Sequence, residues 1–163
     1  MRFIKLGLLS VFFLFIVVTA IGLLLPANVV VSRAIDIVAP KDSIFSKVSD
    51  IRQWKEWVTG MNMPSVVIVS ATEANLAGTK VQIVSTKNYT VLSTWVGKNG
   101  TTQESIIRVL QDTSSPKAVA QWQFTEHLKW YPWQRFGSMM NEAVMGTQLE
   151  TNLSNLRKIC EQH

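Results

Sequence analysis

"VVVSRAIDIVAPKDSIFSKVSDIRQWKEW" occupies residues Val29–Trp57, and the rest of the chain is read outward from it. Val31, Arg33, Ile35 and Ile37 fall on one side of its first third, and Val30, Ser32, Ala34 and Asp36 on the other. That is the partial alternation of a strand with one buried face. Pro40 stops the strand and pre-sets the backbone for a helix start. Ile44, Phe45, Val48 and Ile51 then step by one, three and three, a helical stripe. Asp50 with Gln53 three residues on has the form of an N-cap and its reciprocal partner. The stretch therefore predicts a strand and two short helices, Lys41–Ser49 and Ile51–Trp57, with a bend between them. Gly60 and Pro64 close the segment. It also carries two of six tryptophans, Trp54 and Trp57. Such rings fill a core, line a pocket or anchor at a membrane.

Upstream, Leu6 to Leu25 holds no charged residue, and only Ser10 and Thr19 carry hydroxyls. At about 1.5 Å rise per residue, a helix of this length crosses the roughly 30 Å hydrocarbon layer. A cleaved signal peptide is the alternative. Its apolar core is shorter, however, and cleavage after Ala27 would place Leu where a small residue belongs. The chain divides into residues 1–26, a cytoplasmic tail and a single membrane-spanning anchor ended by Pro26, and residues 27–163, one domain. Arg2 and Lys5 precede the span, and Arg33 and Lys41 follow it, so the charge rule for orientation is nearly balanced. The short basic tail favours the N-terminus inside and the domain outside, periplasmic in a bacterium.

Downstream, five stretches rich in Val, Ile, Thr and aromatics read as strands: Ser65–Thr72, Thr79–Thr86, Tyr89–Gly97, Thr101–Leu110 and Lys117–Glu126. "LAGT", "KNGT" and "SSPK" supply the turns, and Asn99-Gly100 suits a tight hairpin. Short links argue for an antiparallel meander. Glu104 and Arg108 share the solvent side of one strand, which turns Ser105, Ile107 and Val109 inward. Gln121 and Gln123 alternate with Trp122 and Phe124, so the aromatics also face inward. After an aromatic link, "WYPWQRFGSMM", the apolar stripe Val144, Leu149, Leu153, Leu156 and Cys160 marks a long amphipathic helix. Gln148, Thr151, Asn152, Asn155 and Lys158 take its other faces. A one-faced sheet needs a cover. That helix is the element long enough to provide it, and the two short helices can plug one end of the gap.

The formal net charge is +5, with Lys+Arg 16 against Asp+Glu 11. There is no Lys/Arg block and no Arg–aromatic–Gly module, so no nucleic-acid partner is expected. A solvated surface with slight excess charge accounts for the surplus first, and weak attraction to anionic headgroups comes before nucleic acid as a use for it. His127 and His163 are the only histidines. No metal-ligand spacing and no phosphate loop occurs, so neither metal nor cofactor is expected. Cys160 sits on the apolar stripe as a small core residue.

In order, Val29–Val38, Ala39-Pro40, the Phe45/Val48 step, Asp50, and Trp54 with Trp57 match one pattern. Ala120, Trp122 and Phe124 continue it, and Gly146, Leu149, Leu153 and Leu156, with Arg157-Lys158 behind them, end it. This ordered set resembles the START-like, or SRPBCC, superfamily. That helix-grip fold includes the birch-pollen-allergen-like proteins and the polyketide cyclase/dehydrase and lipid-transport group. The resemblance covers nearly everything after Pro26. It departs in strand number, six where the full fold has seven.

The resemblance implies an α+β domain whose curved antiparallel sheet wraps around the C-terminal helix, here preceded by a transmembrane helix. It implies a hydrophobic or amphipathic small molecule, lipids included, bound between sheet and helix. Ile107, Trp122, Phe124, Leu149 and Leu153 are the expected lining. Trp54 and Trp57 wedge the short helices against the sheet near the mouth, as packing or as ligand contacts. Two alternatives stand beside this carrier. One is an enzyme of the cyclase or hydrolase kind, in which Glu126 at the cavity rim has a raised pKa and serves as acid or base. The other is a protein–protein adaptor. Trp130, Tyr131 and Trp133, beside Lys129 and Arg135, suit a bilayer headgroup zone. The same loop could equally fold over the cavity mouth.

Overall fold

The computed structural model describes residues 2–24, 27–98, 100–112, 114–128 and 131–162, without the side chains of 2, 132–136 and 138–141. A long helix α1 (Arg2–Leu24) precedes strand β1 (Asn28–Ile37), helix α2 (Lys41–Val48) and a 3-10 helix (Ile51–Glu56). Strands β2 (Val66–Ile68), β3 (Glu73–Leu76), β4 (Thr79–Lys87), β5 (Thr90–Val96), β6 (Thr102–Gln111) and β7 (Ala118–His127) follow, then helix α3 (Pro132–Glu161). The strands form one 7-stranded sheet in the order β1-β7-β6-β5-β4-β3-β2, antiparallel throughout. The sheet is curved and wraps around α3. A register shift between Ile83 and Ser85 adds bend to the β4–β5 pair.

The seventh strand corrects the expectation of six. The strand expected at Ser65–Thr72 shrinks to Val66–Ile68, and the chain turns back at once as β3. The β3–β4 turn is the tight one. Ala77 and Gly78 both take positive φ, 53° and 96°, as a two-residue hairpin demands. Asn75 Oδ1 accepts the Gly78 N–H at 2.7 Å. The β5–β6 link is looser: Gly97 N–H donates to Thr101 O at 2.9 Å, and Gly100 holds φ at 70°. Asn99 and Pro26 lie outside the described residues.

The facing of the strands follows the alternation. Val31 and Ile37 of β1, Ser105, Ile107 and Val109 of β6, and Trp122 and Phe124 of β7 are buried. In the ladder, Trp122 lies between Arg33 and Ile107, and Phe124 between Val31 and Ser105, so one inner row crosses three strands.

Helix α3 packs chiefly on β1 and only lightly on β7. Its buried side is Leu149, Leu153, Leu156 and Cys160, with Asn152 among them and Met145 half-buried. Two expectations are corrected here. Val144 is 61% exposed, because the stripe runs through Met145 and steps by four to Leu149. Asn152 is only 8% exposed and faces inward. The helix also begins earlier than expected, at Pro132, which fits a first-turn position where a missing N–H costs nothing. Gly146 is where Arg33 passes under the helix. A Cβ there would collide with the guanidinium, which reaches on to Glu150 Oε1 at 2.6 Å.

Helix α2 closes the end of the sheet where β1 and β6 finish. Its Lys41 N–H donates to Gln111 Oε1 at 3.1 Å, its Phe45 ring meets Tyr89 at 5.2 Å, and Tyr89 Oη donates to Asp42 Oδ1 at 2.7 Å. Asp50 caps the 3-10 helix by accepting Arg52 N–H at 2.9 Å. Gln53 is not its reciprocal partner, since Gln53 Oε1 accepts from Lys47 Nζ at 3.2 Å. Helix α1 is apolar and exposed along most of its length. Among the described residues it is the one helix long and apolar enough to cross a membrane.

Candidate functional site: a cavity between sheet and helix

The site begins with four indoles and a phenyl ring. Trp54 and Trp57 are carried inward by the 3-10 helix and its C-cap. Their N–H groups donate to Val48 O at 3.0 Å and Lys47 O at 3.2 Å. These are the last carbonyls of α2, which lack partners within the helix. Trp122 Nε1 donates to Ser105 Oγ at 2.8 Å, and Trp95 Nε1 to Ser93 Oγ at 3.1 Å. Ser93 and Ser105 are buried and directly paired across β5 and β6. With its polar edges satisfied in this way, the cluster packs ring against ring. Trp54 stacks on Trp95 at 6.1 Å, Trp57 meets Trp122 edge-on at 5.2 Å, and Trp95 meets Phe124 edge-on at 5.2 Å.

Above this floor lies a cavity of about 370 Å³. Volumes of about 300–1,000 Å³ are usual for small-molecule sites. Trp95, Trp122 and Phe124 form its base, Leu76 and Thr79 one wall, and Met145 and Leu149 of α3 the other. The turn from Val58 to Val66 closes it with Met61 and Met63. Polar groups sit at Thr59, Ser65, Gln103, Gln148 and Asn152, and among the described residues no charged side chain lines it. Asn152 Oδ1 accepts Thr59 N–H at 2.9 Å, and Asn155 Nδ2 donates to Trp57 O at 3.3 Å. Two amides of α3 thus pin the turn that roofs the cavity. Three thioethers give the wall adaptable, polarisable surface. A wider groove of about 730 Å³ shares Thr59, Gly60, Met63, Gln148 and Asn152 with the cavity, and reaches Val144 and Thr147 outside.

The sequence-expected residues separate into two layers. Trp122, Phe124 and Leu149 line the cavity; Trp54, Trp57, Ile107 and Leu153 are buried behind it. Trp54 and Trp57 therefore lie under the floor, away from the mouth. Glu126 does not line the cavity. It borders a small separate crevice with Val29, Val31, Glu142 and Met145, on the other side of Phe124. Trp130 and the Trp133 side chain lie outside the described residues; Tyr131 is the half-buried N-cap of α3. Trp95, Gln103, Asn152 and the three methionines were not foreseen. Trp95 had a legible signal, because it alternates with Val91 and Ser93. Among the described residues, no group of His, Cys, Asp and Glu could hold a metal ion.

The order of elements, the sheet order and a long helix over the concave face decide the comparison. The fold is START-like. A START superfamily protein from Mycobacterium smegmatis superposes with a TM-score of 0.63 at 16% identity, over 82% of this chain and 97% of that one. Norcoclaurine synthase from Thalictrum flavum, solved in complex with dopamine and hydroxybenzaldehyde, gives 0.64 at 13% identity, over 88% and 92%. The di-domain ARO/CYC BexL gives 0.60 at 11% identity, over 83% of this chain and 50% of that one. No protein-family model and no curated protein matches the chain. At these identities the START-like likeness speaks for the fold alone.

Proposed function

We propose that this chain is a membrane-anchored START-like carrier that holds one uncharged hydrophobic or amphipathic small molecule, a lipid among the candidates, between sheet and α3. The observation that carries the reading is the cavity lining, with aromatic rings beneath, methionines around and amides at the edge, and no charged side chain among the described residues. Burying an unpaired charge there would cost several kcal/mol, whereas apolar surface gains about 25 cal/mol per Å². A free carboxylate or phosphate is therefore a poor guest. An acceptor such as a carbonyl or ether is a good one, because Asn152, a lining residue, has its oxygen on Thr59 and so has N–H₂ donors to offer a guest.

Helix α1 supports a single-pass anchor through residues 6–25, with the domain on the outer side of the membrane as the short basic tail favours. Catalysis through Glu126 has no support from its position, since Phe124 separates it from the cavity. Native mass spectrometry of the detergent-solubilised full chain tests the carrier reading. A co-purifying apolar molecule is expected on wild type and absent from Leu76→Trp, which fills the wall. A wild-type mass free of any adduct, together with no uptake of added apolar probes, would leave the reading without a basis.

A further inference from the structure

Register alone fixes which end of the sheet the cavity occupies. Asn28 of β1 pairs with His127 of β7, Gln103 of β6 with Glu126, Thr102 with Val96, Lys80 with Val96, and Thr79 with Leu76. The start of β1 thus lies at the same end as the finish of β7, the start of β6, the finish of β5, the start of β4 and the finish of β3. The sheet's cavity-lining residues, Leu76, Thr79, Trp95, Gln103, Trp122 and Phe124, cluster toward that end. The opposite end is shut by α2, through the Lys41–Gln111 and Phe45–Tyr89 contacts.

The end of the sheet that holds the cavity is also the anchored end. Helix α1 finishes at Leu24 and β1 starts at Asn28. The four peptide steps between them reach at most about 14 Å. A ten-residue strand is about 33 Å long, so the tether cannot turn the far end of the sheet to the membrane while the near end stays away. The rim carries apolar side chains in solvent: Met63, 59% exposed, with Val144 beside it in the outer groove. Lys98, at the β5–β6 tip, lays its stem over Gly78 of the neighbouring hairpin tip, so the two tips form one edge.

We infer that the cavity mouth faces the bilayer that carries α1, and that the domain exchanges an uncharged, membrane-dissolved molecule directly with the lipid phase. This deepens the carrier reading and rests on it. The experiment uses the full chain with Cys160→Ala, reconstituted in phosphatidylcholine/phosphatidylglycerol vesicles containing a nitroxide-headgroup lipid. A fluorophore is placed at the near end through Lys98→Cys or Met63→Cys, and at the far end through Lys87→Cys or Ser114→Cys. Near-end labels are expected to lose most of their emission and far-end labels almost none.

Equal quenching at both ends, or stronger quenching at Lys87→Cys and Ser114→Cys, overturns the inference. The carrier reading survives that result if N-phenylnaphthylamine still draws energy from the indoles. A chain that fails to enter the vesicles overturns both the anchor and this inference. Near-end quenching with no passage of vesicle-dissolved N-phenylnaphthylamine to the protein overturns the exchange.

Discussion

Asn152, in the middle of α3, accepts the backbone N–H of Thr59 at 2.9 Å, and so ties the helix to the turn that roofs the cavity. A neutral hydrogen bond of this kind contributes about 1 kcal/mol net. Thr59 is exposed, so water can take the lost acceptor's place. Asn152→Ala should therefore cost about 1 kcal/mol in urea denaturation and speed probe release from the cavity. Asn152→Asp, which keeps the acceptor, should hold the release rate nearer wild type but weaken uptake of uncharged probes. Stopped-flow release measurements distinguish the two.

Trp57 sits with its ring against Trp122 and its N–H on Lys47 O. Removing the whole ring from so closed a site costs about 3–5 kcal/mol. Trp57→Phe keeps most of the packing and loses the hydrogen bond, about 1 kcal/mol. Equilibrium denaturation should rank wild type, Trp57→Phe and Trp57→Ala in that order. A melting curve for Trp57→Ala that overlays wild type would show that the wedge is not structural.

Gly146 and Arg33 make a sharper case. Alanine in a helix interior is ordinarily better than glycine by about 0.5–1 kcal/mol. Here the new methyl would displace the guanidinium and break its pair with Glu150. That pair is partly exposed and worth up to about 1 kcal/mol. Gly146→Ala should consequently leave overall stability within about 1 kcal/mol of wild type. The Arg33–Glu150 coupling, measured by a double-mutant cycle, should vanish in the Gly146→Ala background.

The Arg52 side chain, hydrogen-bonded to Asp50, holds that carboxyl below its usual value, against a smaller opposing effect of burial. A depressed carboxyl stabilises the fold above its unfolded pKa, about 4, and the contribution fades as pH falls through the folded value. The melting-temperature gap between wild type and Asp50→Asn should be present at pH 7 and shrink toward pH 3. A gap that widens on acidification would contradict the sign.

Burial pushes the Cys160 thiol up, so little thiolate forms near neutrality. Maleimide should label Cys160 in urea-unfolded chain and leave the native chain largely unmodified at pH 7, as read by intact mass.

Much of this architecture was legible because its signals are periodic. The inward set Ser105, Ile107, Val109, Trp122 and Phe124 follows from alternation, and Leu149, Leu153 and Leu156 from helical spacing. Strand β3 was not legible. Glu73, Ala74, Asn75 and Leu76 include no β-branched residue, and the strand exists because the Ala77-Gly78 turn folds it onto β4. The cavity roof escaped for a related reason. The turn from Val58 to Val66 has no period, and its place is set by Asn152 and Asn155, which composition marks as polar surface. Counting the apolar stripe through Val144 hid the one-residue offset, roughly a quarter turn, that brings Met145 to the cavity instead.

The serines beneath Trp95 and Trp122, with the α2 carbonyls beneath Trp54 and Trp57, occupy every indole donor in the cluster. Whatever rests there meets hydrocarbon and π-electron clouds alone. Any preference for one molecule over another must then be written at the threshold, by the amides of Asn152, Gln148 and Gln103, while the depths reward shape without regard to functional group.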